Sequence, residues 1–330
     1  MPAIEPATRA RAPVASARAD GGPDHHRVRR RGPARSERRT EAIAGYLFLA
    51  PWLVGMLVIT VGPMLASLYL AFTDYTTGGT PEWVGFDNFI TMFTDDPRYW
   101  ASVRVTLLYV LVSVPALLAF ALALAMLLNR GIRGLPIYRA AFYIPSLIGG
   151  SVAIAVLWRQ VFGSQGLVNG VLSAVGITGP SYLADPAWAP WTLIVLNVWT
   201  FGAPMIIFLA GLRQIPQELY DAAEIDGAGR LRRFWHITLP QLSPVLLFNA
   251  IITMIGAFQA FTAAYVLSNG TGKPLDSTLF YTLYLYQSGF SYYQFGYASA
   301  MAWVLLLAIA AATAGMFLAA RRWVFYGDER

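Results

Sequence analysis

The chain has 330 residues, of which 56% are hydrophobic and only 13% charged, against roughly 25% charged in a typical soluble domain. So few charges cannot cover a water-soluble globule of this size, and the lack of cysteine excludes a disulfide-built secreted domain and a cysteine-ligated zinc or iron–sulfur centre. The net charge of +6 fits either a nucleic-acid partner or a membrane topology, and position decides between them.

Residues 1–40 are rich in Ala, Arg and Pro and lack hydrophobic periodicity, which predicts a disordered, Arg-rich tail. Arg38-Arg39 ahead of an apolar run imitates a secretory or twin-arginine signal. The run is about 30 residues, too long for a signal core, and it opens a polytopic chain, so it reads as a membrane anchor. Residues 41–330 form one predicted transmembrane domain. Six stretches reach the roughly 20 apolar residues that a bilayer crossing needs: 43–72, 104–128, 140–162, 191–212, 245–268 and 297–320. None contains Asp or Glu, and each is apolar on all sides rather than along one 3.6-residue stripe. The predicted class is an all-α membrane protein of six transmembrane helices.

Pro51 and Pro63 in the first span, Pro115 in the second, Pro145 in the third and Pro204 in the fourth each free a carbonyl one turn back and invite a kink. Gly149-Gly150, Gly202 and Gly256 add flexibility. Polar side chains in mid-span carry more information. Asn197, Trp199 and Thr200 lie near the middle of the fourth span, and Gln259 lies in the fifth between Phe258 and Phe261. An amide bonds sugar hydroxyls and a ring stacks on the C–H face of a sugar, so these six residues are candidates for a substrate path. Interhelical hydrogen bonding is the other reading of the same residues. The lack of a mid-span carboxylate leaves no acidic relay for proton or sodium coupling, so a transporter of this sequence draws its energy from outside the chain.

Between the fourth and fifth spans, residues 213–244 contain a helix signal. Pro216 suits a first turn, Glu218 complements the dipole, and Gly227 supplies a left-handed stop. A second short helix follows with Leu231, Phe234 and Trp235 on one face, and Pro240 leads into the fifth span. The apolar face fits a partner's groove or a layer of lipid headgroups. Gly270-Thr-Gly272-Lys273 mimics part of a phosphate loop but lacks its first glycine and has Pro274 for Ser/Thr, so it reads as a loop turn. The three histidines, His25, His26 and His236, form no metal-ligand spacing and no catalytic set.

Arginine placement orients the spans. With the amino terminus inside, segments 1–42, 129–139, 213–244 and 321–330 hold 20 of the 24 basic residues, while loops 73–103, 163–190 and 269–296 hold Arg98 and Lys273 alone. Arg104 and Arg159 sit at span edges. The positive charge is a topology label that puts both termini in the cytoplasm, and nucleic acid is not its partner.

Asp221-Ala222-Ala223, then Gly227, Ile237 and Leu239-Pro240, resembles the EAA loop of ABC importer permeases, with Asp221 in place of the usual Glu. Ile225-Asp226-Gly227-Ala228, Phe234 and Ile237-Thr-Leu-Pro240 are similar to the carbohydrate-uptake branch, the maltose or glycerol-3-phosphate permease type of binding-protein-dependent inner membrane component. Tyr46-Leu-Phe-Leu-Ala-Pro51, Val84-Gly-Phe-Asp-Asn-Phe89 and Arg322-Trp-Val-Phe-Tyr326 agree in order, so the resemblance covers about residues 42–326. It implies a six-helix permease bundle in a bacterial plasma membrane that imports a sugar or oligosaccharide, with no catalysis and no cofactor of its own. It further implies that Asp221, Ala222, Ala223, Glu224, Asp226, Gly227, Phe234, Ile237, Leu239 and Pro240 meet a partner ATPase, which uses ATP and Mg. The implied partners are two such ATP-binding subunits, a second homologous permease and an extracytoplasmic sugar-binding protein. Asn197-Val-Trp199-Thr200 aligns with the family's sugar-contacting segment. A glycerol-phosphate or polyol importer, and a channel or scaffold, are the alternatives.

Overall fold

The computed structural model describes residues 35–129 and 134–325, with side chains from residue 43 onward. The expected tail thus lies outside the described residues as far as residue 34, and so does Tyr326. The chain divides into two compact units, Met1–Thr60 and Val61–Arg330, a division that falls within the first predicted span.

The first unit consists, where described, of α1 (Arg35–Gly55), which starts inside the expected tail, and most of the π-helical segment Met56–Val61. Pro51 lies inside α1.

The second unit opens with α2 (Gly62–Leu70), whose first turn takes Pro63. Strands β1 (Thr73–Asp74) and β2 (Glu82–Trp83) form a small antiparallel ribbon, with Thr73 opposite Trp83. The Asn88 amide, from α3 (Asp87–Thr94), donates to the carbonyls of Ala71 and Thr73 and holds this turn in place.

Helix α4 (Pro97–Leu128) is the central post. Its start is fixed by the Asp96 carboxylate, which accepts from the amides of Arg98 and Tyr99, and by Pro97, whose missing N–H would have been unpaired there. Ser102, Thr106, Tyr109, Val110, Ser113, Leu117, Ala121, Ala125 and Leu128 recur every three or four residues as its buried face. That face packs on α8, α9, α12 and α14. At 32 residues it is about 48 Å long and outreaches the hydrocarbon layer of roughly 30 Å.

The next two predicted spans are not single rods. The segment expected as one helix over 140–162 is α5 (Leu135–Ile148) and α6 (Val152–Phe162), and the stretch Val152–Ala174 that α6 opens is bent by 100° from α5. Gly149-Gly150 leaves the chain free to turn, and the Ser151 hydroxyl caps the restart by accepting from the Ile154 amide. After α7 (Leu167–Ala174), the span expected over 191–212 is α8 (Ala189–Trp199) and α9 (Gly202–Leu212), bent by 45° at Thr200-Phe201. Two glycines lock these broken helices together. A Cβ on Gly202 would stand 2.3 Å from the Phe142 carbonyl oxygen, and one on Gly149 would stand 2.2 Å from Thr200 Cγ2.

Helices α10 (Gln217–Ile225) and α11 (Arg230–Arg233) form the 213–244 loop, followed by the π-helical segment Phe234–Thr238. Helix α12 (Leu239–Phe258), with Pro240 in its first turn, leads to a third break and the short α13 (Thr262–Leu267). Helix α14 (Tyr281–Tyr286) and α15 (Phe295–Trp323) complete the chain. Among the described residues four helices are long and apolar enough to cross a membrane, or up to six if each bent pair is one span.

A polar clasp closes the end of the unit where α4 begins. Arg98 reaches both oxygens of Asp276, at 3.0 and 3.2 Å, and donates to the Tyr292 hydroxyl. Asp96 accepts from the hydroxyls of Tyr284 and Tyr297 at 2.6 and 2.5 Å. Burial, then the adjacent Asp96 carboxylate, holds the Tyr284 phenol well above its ordinary value, so it remains a donor.

Candidate functional site

The breaks between α5 and α6, α8 and α9, and α12 and α13 meet at one cavity of about 320 Å³. Its wall takes Ser146, Gly149 and Gly150 from the first break, and Leu193, Leu196, Asn197 and Thr200 from the second. Gln259, Ala260, Phe261, Thr262 and Ala263 come from the third, and Tyr109 from α4. A broken helix at membrane depth leaves backbone groups unpaired, and such backbone is tolerated where protein buries it or where it lines a cavity.

The lining is polar, aromatic and uncharged. The Asn197 Nδ2 is buried and has no hydrogen-bond partner. The Thr200 hydroxyl donates to the Asn197 carbonyl at 2.7 Å, and the Ser146 hydroxyl donates to that of Tyr143 at 2.7 Å. Both keep lone pairs free to accept. The Gln259 side chain is exposed at the break, next to Ala260, whose carbonyl accepts from the Thr282 hydroxyl. Phe261 is backed by Tyr265 and Tyr286, with ring centroids at 5.3 and 5.2 Å. An unpartnered amide donor, hydroxyl acceptors and a supported ring together suit a neutral, hydroxyl-rich ligand.

Of the six residues proposed for a substrate path, Asn197, Thr200, Gln259 and Phe261 are thus brought together, and Trp199 and Phe258 are not. Trp199 lies two residues past Asn197, about 200° round the helix. It packs instead on Trp158, with ring centroids 5.9 Å apart, beside Leu196 and Ile154. Phe258 is buried in the main core. Tyr109, Ser146 and the Gly149-Gly150 backbone were not singled out by sequence reasoning as lining residues. The double glycine was their only signal.

The second place is the 213–244 loop. Asp221, Ala222, Glu224, Asp226 and Gly227 are exposed and Ala223 is half-buried. Gly227 has φ +73°, the left-handed conformation that ends α10: its amide donates to Glu224 O at 3.0 Å and that of Ala228 to Ala223 O at 2.8 Å. Arg233 pairs with Glu224 at 2.8 Å. Phe234 and Ile237 are half-buried, as are Leu239 and Pro240 at the start of α12. Ile225, Leu231 and Trp235 are left exposed, at 87%, 72% and 57%. Apolar side chain left uncovered beside a carboxylate-bearing helix fits a partner's groove or a layer of lipid headgroups. Among the described residues no group of three His, Asp or Glu could hold a metal ion.

Comparison with known proteins places this geometry. The profile of the family described as "Binding-protein-dependent transport system inner membrane component" matches residues 97–324, and the chain belongs to this family. It is 50% identical over 292 residues to "Probable ABC transporter permease protein YesP" of Bacillus subtilis (strain 168), covering 88% of this chain and 94% of that one. It is 35% identical to the lactose transport system permease protein LacF of Rhizobium radiobacter, covering 87% and 97%. Its fold is similar to a chain in the crystal structure of a bacterial alginate ABC transporter in complex with an alginate pentasaccharide-bound periplasmic protein, with a TM-score of 0.74 at 23% identity, covering 86% and 96%. The chain is a multi-pass membrane permease subunit of an ABC transporter and is not itself an enzyme.

Proposed function

We propose that the chain is the permease through which a sugar or oligosaccharide enters the cell. The observation that carries this reading is the cavity at the three breaks, whose uncharged amide, hydroxyl and aromatic lining suits sugar hydroxyls and C–H faces. The names of relatives support it: one is a lactose permease and another an arabinooligosaccharides permease of Bacillus subtilis. In this reading each bent pair is one span, residues 41–330 form a six-span domain, and 1–40 is a cytoplasmic tail. The arginine distribution supports cytoplasmic placement of both termini and of the 213–244 loop.

In this reading α10 is the coupling helix, and an ATP-binding subunit grips its exposed Asp221-Ala222 face. ATP and Mg belong to two such subunits. A second homologous permease completes the membrane path, and an extracytoplasmic binding protein delivers the sugar. Deleting the chain from its host is expected to abolish uptake of at least one labelled oligosaccharide and to leave glycerol-3-phosphate uptake unchanged. The reverse result would favour a polyol-phosphate importer, whose ligand wants a cation that the cavity wall lacks. Solute leakage through the purified chain without ATP would favour a channel.

A further inference from the structure

A helix gripped by a partner moves the rest of a protein only through what fastens it. Helix α10 is fastened lightly. Among the described residues, its one side-chain hydrogen bond reaching beyond α10 and α11 joins the Tyr220 hydroxyl to that of Thr238 at 2.9 Å. The Glu224–Arg233 pair ties α10 to the start of the helix that continues into α12, but its carboxylate side is 73% exposed, where an ion pair contributes little. Among the described residues, Tyr220 faces an open cavity rather than a close-packed core. The cavity, of about 440 Å³, is lined in part by Gln217, Tyr220, Phe234 and Thr238. A cavity wall lacks the contacts that make packed interiors stiff.

Thr238 is fastened well. It is buried, at 6% exposure, at the end of the π-helical segment and one residue before α12. From there α12 runs 20 residues, about 30 Å, to its cap at Gln259 on the wall of the membrane cavity. We propose that the Tyr220–Thr238 hydroxyl bond is the link by which movement of α10 is delivered to α12, and so to the third break of the substrate cavity. Both are positioning residues, and the link rests on reading α10 as the coupling helix.

The chain has no cysteine, so a single Gly256→Cys carries one fluorophore on α12 at an exposed position where an added Cβ meets nothing within 4 Å. In the full transporter, assembled with its ATPase and companion permease, the emission change on adding ATP and Mg is the readout. Tyr220→Phe and Thr238→Val, each combined with Gly256→Cys, are expected to shrink that change about fivefold, the scale of one lost hydrogen bond. The ATPase is expected to co-purify undiminished. The double variant is expected to be no worse than either single one, because both remove the same bond, and Thr238→Ser is expected to restore the full change. An undiminished emission change in both single variants overturns the link and leaves the coupling-helix reading intact. Loss of the ATPase from the variant complexes also overturns it, by making the pair a docking element. No ATP response in the chain carrying Gly256→Cys alone overturns the coupling-helix reading and the link with it.

Discussion

At Asn197 the chain buries an amide nitrogen with nothing to bond. Such a group costs free energy until a ligand or water satisfies it. Asn197→Leu is expected to lower sugar uptake roughly tenfold, the equivalent of about 1.4 kcal/mol, while leaving complex assembly unchanged. Trp199→Phe keeps a ring against Trp158 and is expected to leave uptake near its original level. Transport assays beside gel filtration of the purified complex check both. Asn197, Thr200 and Gln259 stand out in the sequence as polar groups inside apolar runs, and Phe261 as a ring two residues from Gln259; all four line the cavity. Trp199 misleads for the same reason: its type suits a sugar, and only the helical turn after Asn197 shows which way it faces. Tyr109 was hidden because an aromatic residue in an apolar span looks like core, and its ring does pack on Phe280 at 4.6 Å.

At the scale of elements, the apolar runs locate the long helices well. The span expected at 104–128 lies within Pro97–Leu128, and 297–320 lies within Phe295–Trp323. The bends are a different matter. Composition within 140–162 and 191–212 stays apolar across Gly149-Gly150 and Thr200-Phe201, so hydropathy runs straight through both breaks. Glycine and proline are frequent in membrane helices, which blunts them as signals. What fixes the bends is the approach of one backbone to another. Gly202 meets the Phe142 carbonyl and the Tyr143 backbone, where a Cβ at 2.3 and 2.8 Å would force the two helices apart. Gly202→Ala is therefore expected to lower the melting temperature of the detergent-purified chain by several degrees, the scale of an overpacked contact of about 1–3 kcal/mol. Gly256→Ala, at a site with open space around it, is expected to leave the melting temperature unchanged or slightly raised.

At the scale of the whole molecule, the arginine distribution predicts an orientation and the helix breaks meet at one cavity. Charge placement separates two sets of loops, and α12 runs from the loop that carries most exposed acids of α10 to the cavity at the breaks. The polar clasp of Asp96, Arg98, Asp276, Tyr284 and Tyr297 was not legible, because its partners lie as far as 201 residues apart in sequence. Topology has a direct check in a chain free of cysteine. Thr77→Cys and Ser173→Cys are expected to react with a membrane-impermeant maleimide added to intact cells, and Gln214→Cys only after the cells are opened; all three positions are exposed.

We propose that this subunit passes a sugar when a partner spends ATP against the 213–244 loop. The most direct measurement is uptake of a labelled oligosaccharide into proteoliposomes holding the chain with its ATPase, companion permease and binding protein. Uptake is expected to need ATP and Mg, and to be abolished, along with ATPase docking, by Asp221→Lys or Gly227→Pro. Full ATP-driven uptake by either variant, or equal uptake without ATP, would contradict this proposal.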